Sequence, residues 1–416
     1  MSSNPGSAPA PGAAAAVWLL GLTQVVGYGT LYYSFGILAG DIAADLGWPV
    51  SRVFGAFSLT LLAAGFAAPL AGRLVDRHGA ATVMTAGSVA AAGAMAALAL
   101  LPGPAGFIVG LLLVQMATTF VTYDAAFACL VQNTGLAAGR RIVHLTLIAG
   151  FASTIFWPLT SWLHGVVEWQ TIVLAFAAVN LLVCAPVHHR LRRMRPQVEP
   201  QAAGTGDGHA AGAAKAAYAP VPLPEARQRR AMVLVAVAFA LGGFVLSAIL
   251  AQMVPLLSAL RLGDAAVAVA MLFGPAQVLV RFVNMQVGQA NHPIVPTLIS
   301  SALLPIAVTV LAFGGSNLLA ACVFAVVLGA GSGLKSIVQG TLPLALFGRR
   351  AYGERLGRIA SVRLVMASVA PFVLALMLET SGAVAALATM AVIGLSGTIA
   401  FVAVARMCRP DTSEQR

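Results

Sequence analysis

Of the 24 Lys and Arg residues, 19 fall in every second gap between some twelve apolar runs. That partition fixes both a membrane-spanning chain and its orientation, because basic side chains resist translocation while acidic ones count for little. The basic gaps hold Arg73 and Arg77, Arg140 and Arg141, a central linker, the stretch from Arg349 to Arg358, and the C-terminal tail. The alternate gaps hold only Arg52 and Arg261. Both termini are therefore expected in the cytoplasm, as in a multi-pass protein of the cell inner membrane.

Composition agrees. Hydrophobic residues make up 59% and charged residues 9%, against ~25% charged for soluble domains, so a soluble body of this size could not cover itself with polar side chains. The net charge of +11 is explained by topology. No aromatic-interleaved basic patch for nucleic acid appears. Cys129, Cys184, Cys322 and Cys408 lack CxxC spacing and read as packing residues, so no disulfide, metal or cofactor is expected.

Runs of ~20 apolar residues centre near Val26, Leu62, Ala91, Gln115, Ile155 and Leu174, then near Val245, Leu279, Ile306, Val326, Ala370 and Ile393. The expectation is an all-α membrane protein of twelve transmembrane helices in two six-helix bundles. Residues 1–14 read as a disordered tail, 15–187 as the first half, 188–230 as a cytoplasmic linker, 231–406 as the second half and 407–416 as a second tail. The linker opens HHRLRRMRP and passes through an Ala/Gly/Pro-rich stretch, the composition of a flexible connector.

Between the second and third runs stands Gly72-Arg73-Leu74-Val75-Asp76-Arg77-His78-Gly79. It resembles the cytoplasmic signature of the major facilitator superfamily, G-x-L-[A/V]-D-[R/K]-x-G-[R/K], with Ala80 replacing the last basic residue. The resemblance implies a latch between the halves made by Gly72, Asp76, Arg77 and Gly79, with Arg358 supplying missing charge. An acid there can meet the positive end of a neighbouring helix. Two further stretches, Gly27-Tyr28-Gly29-Thr30 through Gly36 and Pro343 through Gly357, resemble the monocarboxylate and oxalate/formate branch.

Asp124, Arg281 and Lys335 interrupt apolar helices, and an ionisable group at depth costs at least ~2.5 kcal/mol at a helix centre unless paired or wetted. Counting at 1.5 Å per residue puts all three ~24 to 27 Å below the outer boundary. Family resemblance implies that Asp124 and Lys335 face one another across the central cavity; an embedded carboxylate near an ammonium can then relay a proton as substrate competes for Lys335. The resemblance also implies that Arg281, on the eighth helix, holds a substrate carboxylate, a role suited to a planar guanidinium. Gln277 and Tyr32 or Tyr33 stand where that branch carries other charged groups, so the relay must differ from the branch's own. Gln24, Tyr28 and Tyr32 recur at i, i+4 and i+8, one face of the first helix, and are expected to line the site with Tyr123. His144 and His164 read as interfacial residues, and Arg363 as a cytoplasmic anchor opening the eleventh helix.

No H-E-x-x-H, nucleophile elbow or Walker-type loop is present, which argues against an enzyme. The expected function is secondary active transport of a small organic anion resembling a monocarboxylate, by alternating access and with proton coupling, in a monomer within the lipid bilayer. The alternative is efflux of drugs or of metalloids such as arsenite. Capture of trivalent arsenic wants convergent thiols, yet Cys129 and Cys322 count ~27 Å apart in depth.

Overall fold

The computed structural model describes residues 11–134, 138–194, 223–263, 265–287 and 292–408. Most of the linker, residues 1–10 and 409–416 of the outer tails, and Asp264 lie outside the described residues. Eleven helices among the rest are long and apolar enough to cross a membrane. A twelfth, Ala138–Ala149 continued by Ala152–His164, escapes that count because it breaks at Gly150 and Phe151.

In chain order the spans are α1 (Pro11–Tyr28, Gly29–Tyr33 and Ser34–Leu46), α2 (Val50–His78), α3 (Ala80–Leu100), and α4 (Gly103–Thr118 and Tyr123–Thr134). Then come the split α5, α6 (Trp169–Val179, Asn180–Cys184 and Ala185–Arg193), α7 (Glu225–Ala251), and α8 (Ala265–Met271 and Phe273–Val287). The last four are α9 (Ile294–Gly314), α10 (Leu318–Phe347), α11 (Tyr352–Thr380) and α12 (Gly382–Met407). The end of the bundle carrying Asp76, Arg193, Glu225 and Tyr352 is called here the linker face.

Residues 29–33 of α1 form one π-turn, which inserts an extra residue into the helical register. The expected face therefore divides. Tyr33 comes round beneath Tyr28, their ring centroids 6.3 Å apart, while Gln24 turns away and donates to the Val121 carbonyl at 2.7 Å. Two neighbours hold the π-turn in place. Phe156 of α5 lies against Gly29 so closely that a Cβ there would sit 2.1 Å from its ring. Asn180, in the π-turn of α6, donates to the Thr30 hydroxyl at 2.9 Å and to the Phe176 carbonyl at 2.9 Å.

The buried apolar clusters say where the two halves touch. Away from the linker face, one cluster draws only on residues between Val26 and Cys184, and another only on residues between Phe244 and Met390. At the linker face Leu344, Tyr352 and Leu356 of the second half join Val75, Ala125, Cys129 and Ile142 of the first in one core. Among the described residues the buried apolar clusters join the halves at the linker face, and α2 packs on α11 from there inward to Gly65, beside Leu364 and Val365. At the opposite face the first half is tied to itself: His164 contacts Asp41 at 2.6 Å and Gln170 donates to Asp45 at 2.9 Å.

Candidate functional site

The contact that closes the linker face is built from the signature loop. Gly79 takes φ +83°, a conformation that L side chains rarely adopt, and lets α2 turn at once into α3. The Asp76 carboxylate, just before that turn, accepts from the backbone N–H groups of Gly353 at 2.9 Å and Glu354 at 2.7 Å. Those are unpaired donors in the first turn of α11, where the helix dipole also favours a negative charge. Three glycines permit the approach. A Cβ at Gly72 would lie 2.2 Å from the Gly353 carbonyl, one at Gly353 would lie 2.8 Å from Asp76 Oδ1, and one at Gly357 would lie 2.4 Å from the Ala68 carbonyl. Arg77 is exposed, and Arg358 pairs with Glu354 at 2.6 Å on its own helix rather than reaching across. Arg349 does cross, to the Val131 carbonyl at 3.4 Å.

Deeper in, the structure corrects three expectations about charged residues. Asp124 pairs with Arg363 at 3.4 Å, not with Lys335. Arg363 is no anchor, because α11 begins at Tyr352 and carries residue 363 three turns into the helix. Lys335 is 7% exposed and turns into the second half, where its Nζ would lie 3.7 Å from a Cβ at Gly242 and 3.6 Å from one at Gly243. There it lines a small pocket with Gly242, Thr297, Ser300, Ser301 and Gly394. Equal depth on two helices fixes one coordinate. Rotation about each axis fixes the partner, and the side-chain-free surface of Gly242 and Gly243 draws the ammonium toward α7.

Arg281 also departs from its expected role in the conformation described. It is 4% exposed, donating through NH1 to the Thr146 carbonyl at 3.2 Å and through Nε to the Gly333 carbonyl at 3.4 Å. Thr146 belongs to α5, so this bond ties the halves together. The break in α5 makes room for it: a Cβ at Gly150 would sit 2.4 Å from Arg281 NH1.

Around the Asp124–Arg363 pair stand four of the chain's six tyrosines. Tyr28 and Tyr123 have ring centroids 4.7 Å apart, and Tyr32 and Tyr33 5.5 Å apart. Tyr28 lies within electrostatic reach of Asp124 and Arg363, Tyr32 of Arg363, and Tyr33 and Tyr123 of Arg281. Lys335 is in turn within reach of Arg363. Arg363 thus stands between the Asp124 carboxylate and the Lys335 ammonium, with Arg281 on the far side of Tyr33 and Tyr123. Sequence reasoning placed Arg363 at the helix end, although an arginine at i+11 from the α11 start and i+5 from Arg358 was open to the same depth count.

The cysteines do not converge. Cys129 belongs to the core at the linker face and Cys322 packs at the edge of the second half's own cluster. Among the described residues no three His, Cys, Asp or Glu side chains gather as a metal would require.

A family model for the Major Facilitator Superfamily matches residues 20–353. The chain belongs to that superfamily. A comparison with curated proteins returns no match. Among solved structures, the human organic anion transporter MFSD10 (TETRAN) is similar with a TM-score of 0.70 at 17% identity, covering 94% of this chain and 100% of that one. The superfamily's proton:xylose symporter XylE, solved with 6-bromo-6-deoxy-D-glucose, gives a TM-score of 0.70 at 10% identity, covering 94% and 96%. At such identities the likeness is one of fold. The superfamily match does not reach down to the monocarboxylate branch.

Proposed function

We propose that this superfamily member is a secondary active transporter of small organic anions, working by alternating access in the cell inner membrane with both termini cytoplasmic. One observation carries the reading: where the halves meet, Arg363 has the Asp124 carboxylate as its counter-charge with Lys335 also within its reach, and Arg281 crosses between the halves through backbone carbonyls. Uncompensated positive charge in a low-dielectric body costs several kcal/mol per ion unless a counter-charge arrives. An anionic substrate is that counter-charge, and its arrival relieves the cost at the level where the halves must rearrange.

The shared core at the linker face, set against separate cores at the opposite face, supports an outward-open state. In that state Arg281 acts as a strut. Its bond to the Thr146 carbonyl and the contact of Asp76 with α11 must both break for the cytoplasmic side to open. The ionisable Asp124 carboxylate beside Arg363 supports proton coupling.

Proteoliposome uptake tests the reading. Labelled small carboxylates should enter saturably, while their neutral amide analogues should not compete. Saturable uptake of neutral solutes with no response to carboxylates would overturn it.

A further inference from the structure

We infer that Arg363 is the seat of the substrate carboxylate, that Asp124 is the resident counter-ion it displaces, and that the substrate is an aromatic monocarboxylate bedded among Tyr28, Tyr32, Tyr33 and Tyr123. The inference rests on the anion-transport reading and names its binding group and substrate class.

Of the three buried cations, Arg363 alone is both reachable and under-used. Arg281 is sealed at 4% exposure with bonds to two carbonyls, and Lys335 is turned into the second half's own pocket. The Arg363 and Asp124 side chains are 22% and 28% exposed, so water reaches them between the halves. Their contact is a single N–H···O of 3.4 Å, well beyond the ~2.7 to 2.9 Å of a good charge-assisted bond. A guanidinium has five donors in a fork that suits a carboxylate bidentately. A free carboxylate can meet that fork squarely, whereas the Asp124 side chain, fixed to α4, meets one corner of it.

The tyrosines stand beside this pair. Aromatic side chains at a polar site offer faces for stacking and hydroxyls as donors. Tyr32 is 45% exposed in a protein where large exposed rings within a bundle must face either lipid or a cavity, and its electrostatic reach to Arg363 places it on the cavity side. Ring-to-ring distances of 4.7 to 6.3 Å are those at which aromatic groups prefer offset or tilted packing, and a flat substrate ring would extend that packing on the exposed face of Tyr32.

The exchange balances. The substrate carboxylate takes the Arg363 guanidinium, the freed Asp124 carboxylate takes one proton from the water between the halves, and an anion and a proton occupy the site together. No covalent bond changes. Release at the other face restores the Asp124–Arg363 pair and returns the proton to water.

Benzoate, cyclohexanecarboxylate and benzamide are the probes, measured by calorimetry on the purified full chain. Benzoate should bind at least ~10-fold more tightly than cyclohexanecarboxylate, which lacks the aromatic face, and benzamide should bind far more weakly than both. Arg363→Gln should weaken benzoate by ~30-fold or more, and Asp124→Asn, which removes the competing anion, should strengthen it and abolish proton uptake on binding. In the wild-type protein benzoate should protect Arg363 from phenylglyoxal, a readout that needs no variant. Unaltered benzoate affinity in Arg363→Gln, or modification of Arg363 unaffected by benzoate, would refute the assignment. Loss of carboxylate binding in Arg281→Gln but not Arg363→Gln would leave anion transport standing and this site wrong. Equal binding of cyclohexanecarboxylate would remove the aromatic class alone, and failure of every carboxylate to bind would sink both readings.

Discussion

Gly72→Ala tests the closed linker face most economically, because its cost can be worked from backbone positions alone. The new Cβ would lie 2.2 Å from the Gly353 carbonyl oxygen, 2.8 Å from its carbonyl carbon and 3.0 Å from Glu354 Cα. Ordinary contact needs roughly 3.5 Å, so α2 and the start of α11 must part by about 1 Å; both partners are backbone and neither can rotate away. A parting of that size stretches the 2.9 and 2.7 Å bonds from Asp76 to Gly353 and Glu354 past useful hydrogen-bond length. Hydrogen bonds to charged groups contribute about 1.5 to 3 kcal/mol each when shielded. Asp76 is exposed, so the loss for both together is placed at about 1 to 2 kcal/mol, a factor of roughly 5 to 30 in the ratio of closed to open states. Spin labels at His78→Cys and Arg350→Cys, in a background without the native cysteines, would report the separation by pulsed electron resonance. The variant should shift population from the short to a longer distance. Gly55→Ala on the same helix, where a Cβ meets nothing within 4 Å, should leave the distribution alone. An unchanged distribution in Gly72→Ala would refute the argument from close approach.

Three other outcomes follow from particular contacts. Gly150→Ala puts a methyl 2.4 Å from Arg281 NH1, and since a guanidinium can swing, the cost falls on the Thr146 bond between the halves, loosening the closed state by ~10-fold with little change in thermal stability; a large drop in Tm with unaltered distances would contradict this. Asn180→Leu removes the donor shared by Thr30 and Phe176 and should destabilise the detergent-solubilised protein by about 1 to 3 kcal/mol, read from denaturant unfolding. His292 accepts from the Ile294 N–H at 3.0 Å, and burial holds its imidazole below the ordinary 6.5. Its contribution to stability is present above pH 6.5 and lost as pH falls through the lower folded value, so Tm should decline as pH falls below 6.5 and His292→Asn should flatten that decline.

The architecture was legible in the sequence because it is written in hydropathy and basic-residue placement, two signals that the bilayer enforces on every span. Span α5 illustrates the limit. Its apolar run is continuous in sequence, yet the helix breaks at Gly150 and Phe151 where the Arg281 guanidinium needs space. The site was legible only in depth. Counting placed Asp124, Arg281 and Lys335 at one level, but which way each side chain faces depends on helix rotation, and the π-turn at Gly29–Tyr33 shows how one extra residue redirects a whole face. Arg363 was misread for a related reason. The polar stretch containing Glu354, Arg355 and Arg358 resembles a loop, so the helix was started too late and the arginine placed at its end. The glycine pair Gly242-Gly243 was the available hint that α7 had room for a long side chain from α10.

The central claim is that a wet path reaches the Asp124–Arg363 pair from one face and is shut at the other. A single cysteine at Tyr32, in an otherwise cysteine-free chain reconstituted in vesicles of known orientation, tests it with a membrane-impermeant maleimide. The account predicts labelling from the face opposite the linker, none from the linker face, and protection by a bound carboxylate. Failure to label from either side, or labelling from the linker face alone, would contradict it.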